Sequence, residues 1–480
     1  MSSRPPSFIL PNSLSCRVID RFSDLPDNSP ITEDSEGKIP FWPLLHHLIS
    51  TPVLNISLLI DRLQTIAANA ETYPDGDFGF LDKFLKDQDE DKIIQTIWSK
   101  VRQIALDIAV YFPNGELELL RPGCPLKLSR GQAACLVVHQ FLCSFVPQRD
   151  DEGYQDLGIW YSEEQKHPVA ARMYLVALFA YFESLPSAKE LMVDHLSGHH
   201  AVSYELHQNN QRPPADAKLG PVHINYLDVH TSDTHHRHVQ GTGGAVVVSS
   251  NKVIGFGQSA TQEEIFVGIA PEAYPVVLVV PHLTDNTVIT VSGARAMVDV
   301  RGQRRNIEWN VRTAANGSEG GRLVFMDALE MDMVERPSES DLPDLYPENI
   351  DRELQKATNG FTSYNGDSIF TGLWGCGAFG SDPGVKLMIL WLAAGAANVE
   401  LHLMLGPGEH DLGKMLEEVV KACDGLTVDD VRKLILRLPG ELRREEVLRW
   451  IAEAGSGARV SEKFKEERDF EARELSDKTT

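Results

Sequence analysis

The chain has 480 residues, of which 42% are hydrophobic and 24% are charged, a composition typical of a globular protein with ample material for a core. Its formal net charge is −24 at pH 7, whereas a protein that binds nucleic acid through its surface charge is expected to be basic. The composition therefore argues against direct nucleic-acid binding, and any phosphate site must be local.

Cysteine usage and hydropathy indicate an intracellular, soluble protein. The six cysteines form no CxxC pair, and Cys135, Cys143 and Cys423 lie in apolar helical patterns, which indicates free thiols in a reducing compartment. No basic segment followed by an apolar run opens the chain, so we expect no secretory signal. The longest apolar helix, Val385–Val399, is too short to span a bilayer and contains Lys386. We expect no membrane partner and a location in the nucleus or the cytoplasm.

The first part of the chain reads as an irregular lead-in, residues 1–38, followed by a helical accessory domain, residues 39–205. The lead-in is rich in Pro, Ser and Asp. After Pro40 the apolar residues recur at helical spacing. The predicted helices cover about 41–48, 57–70, 92–111, 132–146 and 170–183. A polar stretch with two prolines, 197–219, marks the domain junction.

From residue 206 to 455 the periodicity changes, and short β-rich runs alternate with loops and helical stretches. The predicted strands are 222–229, 245–248, 275–280, 287–291, 322–328 and 400–405. The predicted helices that follow are 411–424, 427–438 and 441–454. This pattern predicts an α/β domain whose mixed sheet is flanked by helices. Residues 456–480 are highly charged and lack an apolar face, so we expect a disordered tail.

The most informative stretch runs from Asn251 to Glu264, where a buried strand leads into a glycine-bearing loop that ends on two carboxylates. Gly255 and Gly257 let the backbone approach a ligand closely, because no Cβ intervenes. Glu263 and Glu264 behind such a loop indicate acid–base chemistry on a polar ligand. The alternative is a solvated helix start preceded by an ordinary turn.

A second glycine-rich loop precedes the long apolar helix. It contains Gly375, Gly377, Ala378, Phe379 and Gly380. Consecutive small residues expose backbone N–H groups to anionic oxygens, so this loop is a candidate phosphate cradle. The alternative is a turn that only enters the helix.

Together the two loops resemble those of the poly(ADP-ribose) glycohydrolase family, which carries a glycine-rich segment running into Gln-Glu-Glu and a downstream Gly-x-Trp-Gly-Cys-Gly-Ala-Phe-Gly loop. Phe112–Gly115 and Leu128–Cys135 extend the resemblance to the family's helical accessory region. The resemblance implies a macrodomain-like catalytic domain that hydrolyses ribose–ribose O-glycosidic bonds in poly(ADP-ribose) on modified proteins and releases ADP-ribose. It implies no metal or redox cofactor, a monomer, and a role in the DNA damage response.

The same resemblance assigns roles to individual residues. Glu264 corresponds to the general acid, which also activates the attacking water, and Glu263 to a residue that hydrogen-bonds ribose hydroxyls. Gln262 would help to hold the loop, and Asn251 would contact ribose. The second loop would bind the diphosphate, with Phe379 against the terminal ribose. Cys376 reads as structural, since no basic residue adjoins it.

The chain departs from the family at three places. Val248 stands where the family has an Asp three residues before the Asn. Val300 and Gln303 stand at the two tyrosines of the family's substrate-covering hairpin. Leu405 aligns with the adenine-stacking aromatic, and we expect it to line the adenine wall with a weaker contact than an aromatic ring provides.

Two further clusters allow more than one interpretation. Four histidines are not spaced as in a regular metal site, so a solvated loop is the default interpretation and a metal site is the alternative: His230, His235, His236 and His238. In the family this stretch passes adenine, so Asp233 is a candidate contact. A local basic patch is either a solvated hairpin face or an attractor for a polymeric phosphate: Arg301, Arg304 and Arg305.

Two other functions remain open at this point. A non-catalytic ADP-ribose reader would explain the missing aromatic residues but has no use for a Gln-Glu-Glu acid. A hydrolase of single ADP-ribose units on protein would keep the acid but leave the polymer intact.

Overall fold

A computed structural model describes the following residues: 6–26, 29–72, 76–148, 155–209, 214, 216–227, 244–301, 307–312, 320–336, 338, 341–364 and 366–457. The predicted fold class is confirmed, because a mostly helical first half precedes an eight-stranded mixed sheet that carries helices on both faces. Within these residues no helix is both long and apolar enough to cross a bilayer. The six cysteines are all described, and all are free thiols.

Fourteen strands are present in the described residues. In chain order they are β1 (Ser7–Ile9), β2 (Arg17–Val18), β3 (Ile39–Pro40), β4 (Glu116–Glu118), β5 (Leu126–Leu128), β6 (Val202–Gln208), β7 (Val222–Tyr226), β8 (Ala245–Ser250), β9 (Thr287–Ala294), β10 (Val298–Arg301), β11 (Glu308–Val311), β12 (Gly321–Asp327), β13 (Ser368–Thr371) and β14 (Glu400–Leu405).

The large sheet has the strand order β5-β6-β9-β12-β8-β13-β14-β7. Strands β12, β8, β13, β14 and β7 run parallel to one another, whereas β5, β6 and β9 pair antiparallel. The loops that follow parallel strands meet at one edge of a sheet, which is where ligands bind in open α/β sheets. Because β8 and β13 are neighbours, the two glycine loops that follow them lie side by side.

Helices make up most of the first half, and further helices flank the sheet in the second half. The α-helices are Phe41–Ser50, Ile56–Asn69, Gly79–Lys86, Ser99–Leu106, Ile108–Tyr111, Arg130–Phe141, Pro168–Ser184, Ala188–Leu196, Gln262–Ile269, Val276–Val279, Pro347–Ser363, Pro383–Ala397, His410–Ala422 and Val428–Ile435. A π-helical stretch, Lys92–Trp98, opens the predicted helix 92–111. Residues 445–457 are also helical.

The helical half covers one face of the sheet directly. Along β8, alternate residues point to opposite faces. Val246 and Val248 belong to a core that they share with the helical half, including the helix Pro168–Ser184. Ala245 and Val247 belong to a second core beneath the helices Pro347–Ser363 and Pro383–Ala397. The accessory helices and the sheet therefore share one hydrophobic interior.

A buried ion pair adds a polar link between the two halves. The Glu272 carboxylate is fully buried and accepts hydrogen bonds from Arg130 in the helical half and from Arg295 at the end of β9. The Arg130 Nη1–Glu272 Oε1 distance is 2.6 Å. A buried carboxylate is strongly destabilising once its partner is removed, so the pair ties the halves in one arrangement.

One predicted element is wrong, strands of the sheet were missed, and one expected boundary falls inside a strand. Segment 275–280 was expected as a strand but contains the helix Val276–Val279, because a short apolar run buried on all sides has no periodicity that distinguishes the two. Strand β13 was not predicted. The expected boundary at 205 lies within β6, whose residues join the sheet. Residues of the expected tail beyond 457 lie outside the described residues.

Candidate active site

The helix Gln262–Ile269 begins with a capping box that fixes its first turn. The Thr261 hydroxyl accepts the backbone N–H of Glu264, and the Thr261 N–H donates to Glu264 Oε2 at 3.0 Å. The Thr-x-x-Glu spacing encodes this reciprocal pair in the sequence. The first turn therefore presents Gln262, Glu263 and Glu264 toward the end of β8.

Gln262 and Glu263 hold the backbone that leaves β8. Gln262 Oε1 accepts the Ser249 N–H at 3.0 Å. Glu263 Oε2 accepts the Asn251 N–H at 2.7 Å, and its Oε1 accepts the Gly255 N–H at 3.2 Å. The Glu263 side chain is 6% exposed, and burial raises its pKa to about 8 although both backbone donors lower it. Its carboxyl is thus engaged with the loop.

Glu264 is the more exposed of the two carboxyl groups. Burial raises its pKa, and backbone N–H groups of the preceding loop oppose that rise. Its Oε1 lies so close to Gly257 that a Cβ on that residue would be 2.0 Å from it. Gly257 is therefore required for the observed carboxyl position, and the side chain stands at the surface of the site.

Ser249 joins the two glycine loops. Its backbone N–H donates to Gln262, and its hydroxyl accepts the Gly375 N–H at 3.4 Å. Gly375 has φ +77°, and a Cβ there would be 2.6 Å from the Ala328 Cβ. Because that conformation and that approach both require glycine, the second loop is held against the end of β8 by its own sequence.

The tip of the second loop presents backbone donors to solvent. Gly377 and Ala378 are exposed, and an added Cβ at Gly377 would meet nothing within 4 Å. Among the described residues, no acceptor pairs with the N–H groups of Gly377, Ala378 and Phe379. Phe379 is half-buried against the second core. Successive unpaired N–H groups form a concavity suited to anionic oxygens.

A buried ammonium group lies beneath this loop. Lys386 is fully buried, forms an ion pair with Glu353 and lies 4.1 Å from the centroid of the Trp374 ring. Its Nζ would be 3.2 Å from a Cβ on Gly375. Burial lowers the pKa of Lys386 to about 7. The sequence analysis noted this lysine only as a charge inside an apolar helix.

Trp160 of the helical half supports the first loop from behind, and sequence reasoning missed it. Its Nε1 donates to the Gly257 carbonyl at 2.9 Å, and its ring packs edge-on against Phe256 with centroids 5.2 Å apart. Gln258 Nε2 donates to the Ile159 carbonyl at 2.6 Å. The only sequence signal was an aromatic pair within a stretch that was otherwise polar.

Of three further residues singled out from the sequence, two are buried and one is exposed. Leu405 is 0% exposed in the second core, so it offers no surface to a ligand, which corrects the expected adenine wall. Val300 is equally buried and pairs with Trp309 across the β10–β11 hairpin. Asn251 is exposed, and its Oδ1 accepts the Val253 N–H at 3.2 Å within its own turn.

The other singled-out residues divide into two groups. Gly380 is exposed and has φ +69°. Burial raises the pKa of the Cys376 thiol. Val248 is buried. Several candidates lie outside the described residues: His230, Asp233, His235, His236, His238, Gln303, Arg304 and Arg305.

Comparison with known proteins identifies two matching family models. One, described as the helical domain of poly(ADP-ribose) glycohydrolase, matches residues 85–197. The other, described as the macro domain fold of the same enzyme, matches residues 219–407. Together they cover more than half of the chain, and the second contains both glycine loops.

Individual relatives are distant and match in part. Poly(ADP-ribose) glycohydrolase 2 of Caenorhabditis elegans is 28% identical over 189 residues, which cover 36% of this chain and 39% of the relative. Poly(ADP-ribose) glycohydrolase 1 of Arabidopsis thaliana is 40% identical over 93 residues, or 18% of this chain and 15% of the relative. The chain thus spans well under two thirds of these relatives. A crystal structure of the Deinococcus radiodurans enzyme in complex with ADP-ribose is 16% identical with a TM-score of 0.31, covering 46% of this chain and 95% of the other.

Proposed function

The chain belongs to the poly(ADP-ribose) glycohydrolase family, and from this premise we propose that it hydrolyses ribose–ribose O-glycosidic bonds in poly(ADP-ribose) and releases ADP-ribose. The observation that carries the proposal is the partly exposed Glu264, which stands in the first turn of its helix, directly behind the first glycine loop and beside Gly257. A module that only bound ADP-ribose would gain nothing from a partly desolvated carboxyl at this position.

Glu264 acts first as the general acid. Burial raises the pKa of the Glu264 carboxyl, which favours the protonated form that can donate a proton. The proton passes to the glycosidic oxygen as the bond from that oxygen to C1 breaks, and positive charge develops on the ribose. The leaving ribose departs with a free hydroxyl.

Glu264 then acts as the general base. The carboxylate formed in the first step is stabilised by backbone N–H groups of the loop and lies at the start of a helix, where negative charge is favoured. It takes a proton from water as the water oxygen bonds to C1. The second step restores the protonated acid, and the two steps together consume one water.

Glu263 acts as a positioning residue in this scheme. Both of its oxygens accept backbone N–H groups of the loop, at Asn251 and Gly255. It therefore sets the path of the loop on which a ribose would rest. Loss of such positioning is costly because misplacement of reacting atoms slows a reaction strongly.

The second loop supplies the site for the ADP-ribose diphosphate. The exposed N–H groups of Gly377 and Ala378 are suited to phosphate oxygens, and the buried ammonium of Lys386 lies beneath the same loop. An anionic ligand above the loop favours the protonated form of that lysine. Affinity for a phosphate group thus needs no basic surface, in agreement with the net charge of −24.

The proposal is tested with Glu264→Gln, which keeps the shape of the side chain but cannot transfer the proton. The substrate is the poly(ADP-ribose) carried by an automodified polymerase. We expect its turnover to fall by at least about a hundredfold, the lower end of what general acid–base catalysis contributes. ADP-ribose binding should be retained. Glu348→Gln is the matched control, since Glu348 is an exposed carboxylate on the helix Pro347–Ser363. Wild-type turnover in Glu264→Gln would refute the assignment of the acid.

The products separate the proposal from its two alternatives. Chromatography of the wild-type reaction should show free ADP-ribose released from the polymer. Tight polymer binding without any product indicates a reader. Release from a protein carrying single ADP-ribose units, with polymer left intact, indicates a hydrolase of mono-modified protein.

A further inference from the structure

Two histidines and a glutamate form a cluster at the opposite end of the sheet from the candidate active site. His223 lies near the start of β7, and Glu400 and His402 lie at the start of β14. One potential ligand atom from each of the three lies within 4.8 Å of the others. The glycine loops follow the carboxyl ends of the strands, so this cluster takes no part in the proposed hydrolysis.

The sheet itself brings these three side chains together. His223 and His402 are register partners on adjacent parallel strands, and their rings stack with centroids 4.5 Å apart. Glu400 precedes His402 by two residues, so both side chains point to the same face of the strand. Phe370 on β13 stacks on the other side of His402, with centroids 4.5 Å apart, and fixes that ring.

The distances between candidate ligand atoms are close to those of a metal site. Glu400 Oε2 is 3.5 Å from His223 Nε2 and 3.8 Å from His402 Nε2. Tetrahedral zinc with ligand bonds of about 2.0–2.2 Å separates its ligand atoms by about 3.4 Å. Imidazole binds a metal in the plane of its ring, so the exposed His223 ring must turn out of its stack on His402 for both rings to bind one ion.

We propose that His223, Glu400 and His402 bind one divalent transition-metal ion of the zinc class. Imidazole nitrogens with one carboxylate oxygen are ligands for zinc, nickel and copper, whereas calcium and magnesium prefer oxygen ligands throughout. The side chains of His223 and Glu400 are 48% and 49% exposed, so water completes the coordination. The acidic protein, at −24, also favours a cation on its surface.

The bound ion joins strand β7 to β14. Among the described strands, β7 is the last of the sheet and pairs with β14 alone. A metal that bridges β7 and β14 therefore stabilises the sheet margin without touching the catalytic carboxyl groups.

The test uses the full chain, in a non-chelating buffer with a phosphine reductant, titrated with zinc chloride by isothermal calorimetry. We expect the double variant His223→Ala/Glu400→Gln to bind one equivalent fewer than the wild type. The single variant Glu400→Gln keeps the shape of the side chain, and its affinity for zinc at this site should be at least tenfold lower than that of the wild type. His46→Ala is the matched control, since His46 is an exposed histidine on the helix Phe41–Ser50.

A second measurement keeps the outcome clear if one variant folds poorly. Zinc should raise the melting temperature of the wild type and of His46→Ala by more than it raises that of Glu400→Gln. Unchanged zinc stoichiometry and affinity in the double variant would overturn the proposal, as would a wild type that binds no zinc at micromolar concentrations. Activity on poly(ADP-ribose) should be the same in Glu400→Gln as in the wild type, so failure of this proposal is independent of the proposed function.

Discussion

Glu263 and Glu264 are adjacent in sequence, yet the structure gives them different surroundings. Glu263 is 6% exposed and binds two backbone N–H groups, whereas Glu264 is partly exposed and lies beside Gly257. A helical turn sends neighbouring side chains in directions about 100° apart, so two identical residues meet different surroundings. Burial raises the pKa of both.

The buried Glu263 should make stability depend on pH. Its pKa rises from 4.5 in the unfolded chain to about 8 in the folded protein, so the folded state favours the neutral acid. The stabilisation is complete below about pH 4.5 and is lost as the pH rises through about 8, on the order of a few kcal/mol. We expect urea denaturation between pH 5 and 8 to show a smaller pH-dependent decline in Glu263→Gln than in wild type. An equal pH dependence of stability in the two proteins would indicate that the Glu263 carboxyl is exposed to water in the folded state.

Gly257 should be required for activity more than for stability. A Cβ there would be 2.0 Å from Glu264 Oε1, the far end of a flexible side chain, so Gly257→Ala displaces the acid rather than the backbone. We expect kcat to fall by about a hundredfold, since a misplacement near 1 Å has costs of that order, with a melting temperature within a few degrees of wild type. Gly440→Ala is the control, because an added Cβ there meets nothing within 4 Å. Full activity of Gly257→Ala would show that Glu264 does not need its present position.

Among individual residues, the sequence motif contains Glu263 and Glu264 but not the residues that hold the motif in place. Ser249 is one of two serines that end an apolar strand, and its contacts with Gln262 and Gly375 reveal its role. Trp160 lies 97 positions before Gly257, a separation over which local patterns carry no information. Leu405 was misplaced because its neighbours in sequence do not show that the last residues of β14 point into the core.

The second glycine loop allows structural and ligand-binding roles of glycine to be separated. In Gly375→Ala the new alanine must adopt φ +77°, and its Cβ would lie 2.6 Å from the Ala328 Cβ. We therefore expect the free energy of unfolding to fall by about 2–4 kcal/mol. Gly377→Ala adds a Cβ in open space and should leave stability nearly unchanged. Its methyl group occupies the exposed face of the loop, so ADP-ribose binding should weaken.

Both variants are measured by denaturant unfolding and by calorimetric titration with ADP-ribose. The informative result is the contrast between them, since Gly377→Ala should lose affinity with little loss of stability. Normal affinity in Gly377→Ala would remove the tip of the loop from the ligand site. Wild-type stability in Gly375→Ala would contradict the close approach to Ala328.

Among the secondary-structure elements, those with a clear period were predicted and the others were not. The strand 245–248 and the helices near 57–70 and 170–183 agree with β8, Ile56–Asn69 and Pro168–Ser184. Strand β6 has buried Val202, Tyr204 and Leu206 at alternate positions, a signal present in the sequence but hidden within a stretch assigned to the junction. Strand β13 has four residues, too few for a period to be recognised.

At the scale of the whole molecule, the helical half and the sheet form one cooperative unit. They share a hydrophobic core, the Arg130–Glu272 ion pair and the Trp160–Gly257 hydrogen bond. The segment before residue 206 also contributes β5 and part of β6 to the sheet. The two predicted domains therefore pack on each other closely, and the first glycine loop has contacts with both.

A chain that starts near Leu219 should be insoluble or inactive. It lacks β5, β6 and the helices that cover Val246 and Val248, so one face of its sheet is exposed to water. We expect the fragment to appear in the insoluble fraction on expression, and any refolded material to show no turnover. The matched control is a chain that ends at residue 457 and keeps every described element. A soluble and fully active fragment would show that the two halves are independent.

The shared core also has a consequence for synthesis on the ribosome. The helical half leaves the exit tunnel first, yet β8, which carries the sheet's side of that core, begins at residue 245, and β12 ends at residue 327. At roughly 5–20 residues per second, the 122 residues from 206 to 327 take about 6–24 s to be made. During that interval the apolar surface of the nascent helices has no partner. Translation speed and chaperone supply should therefore limit the yield of this protein more than its final stability does.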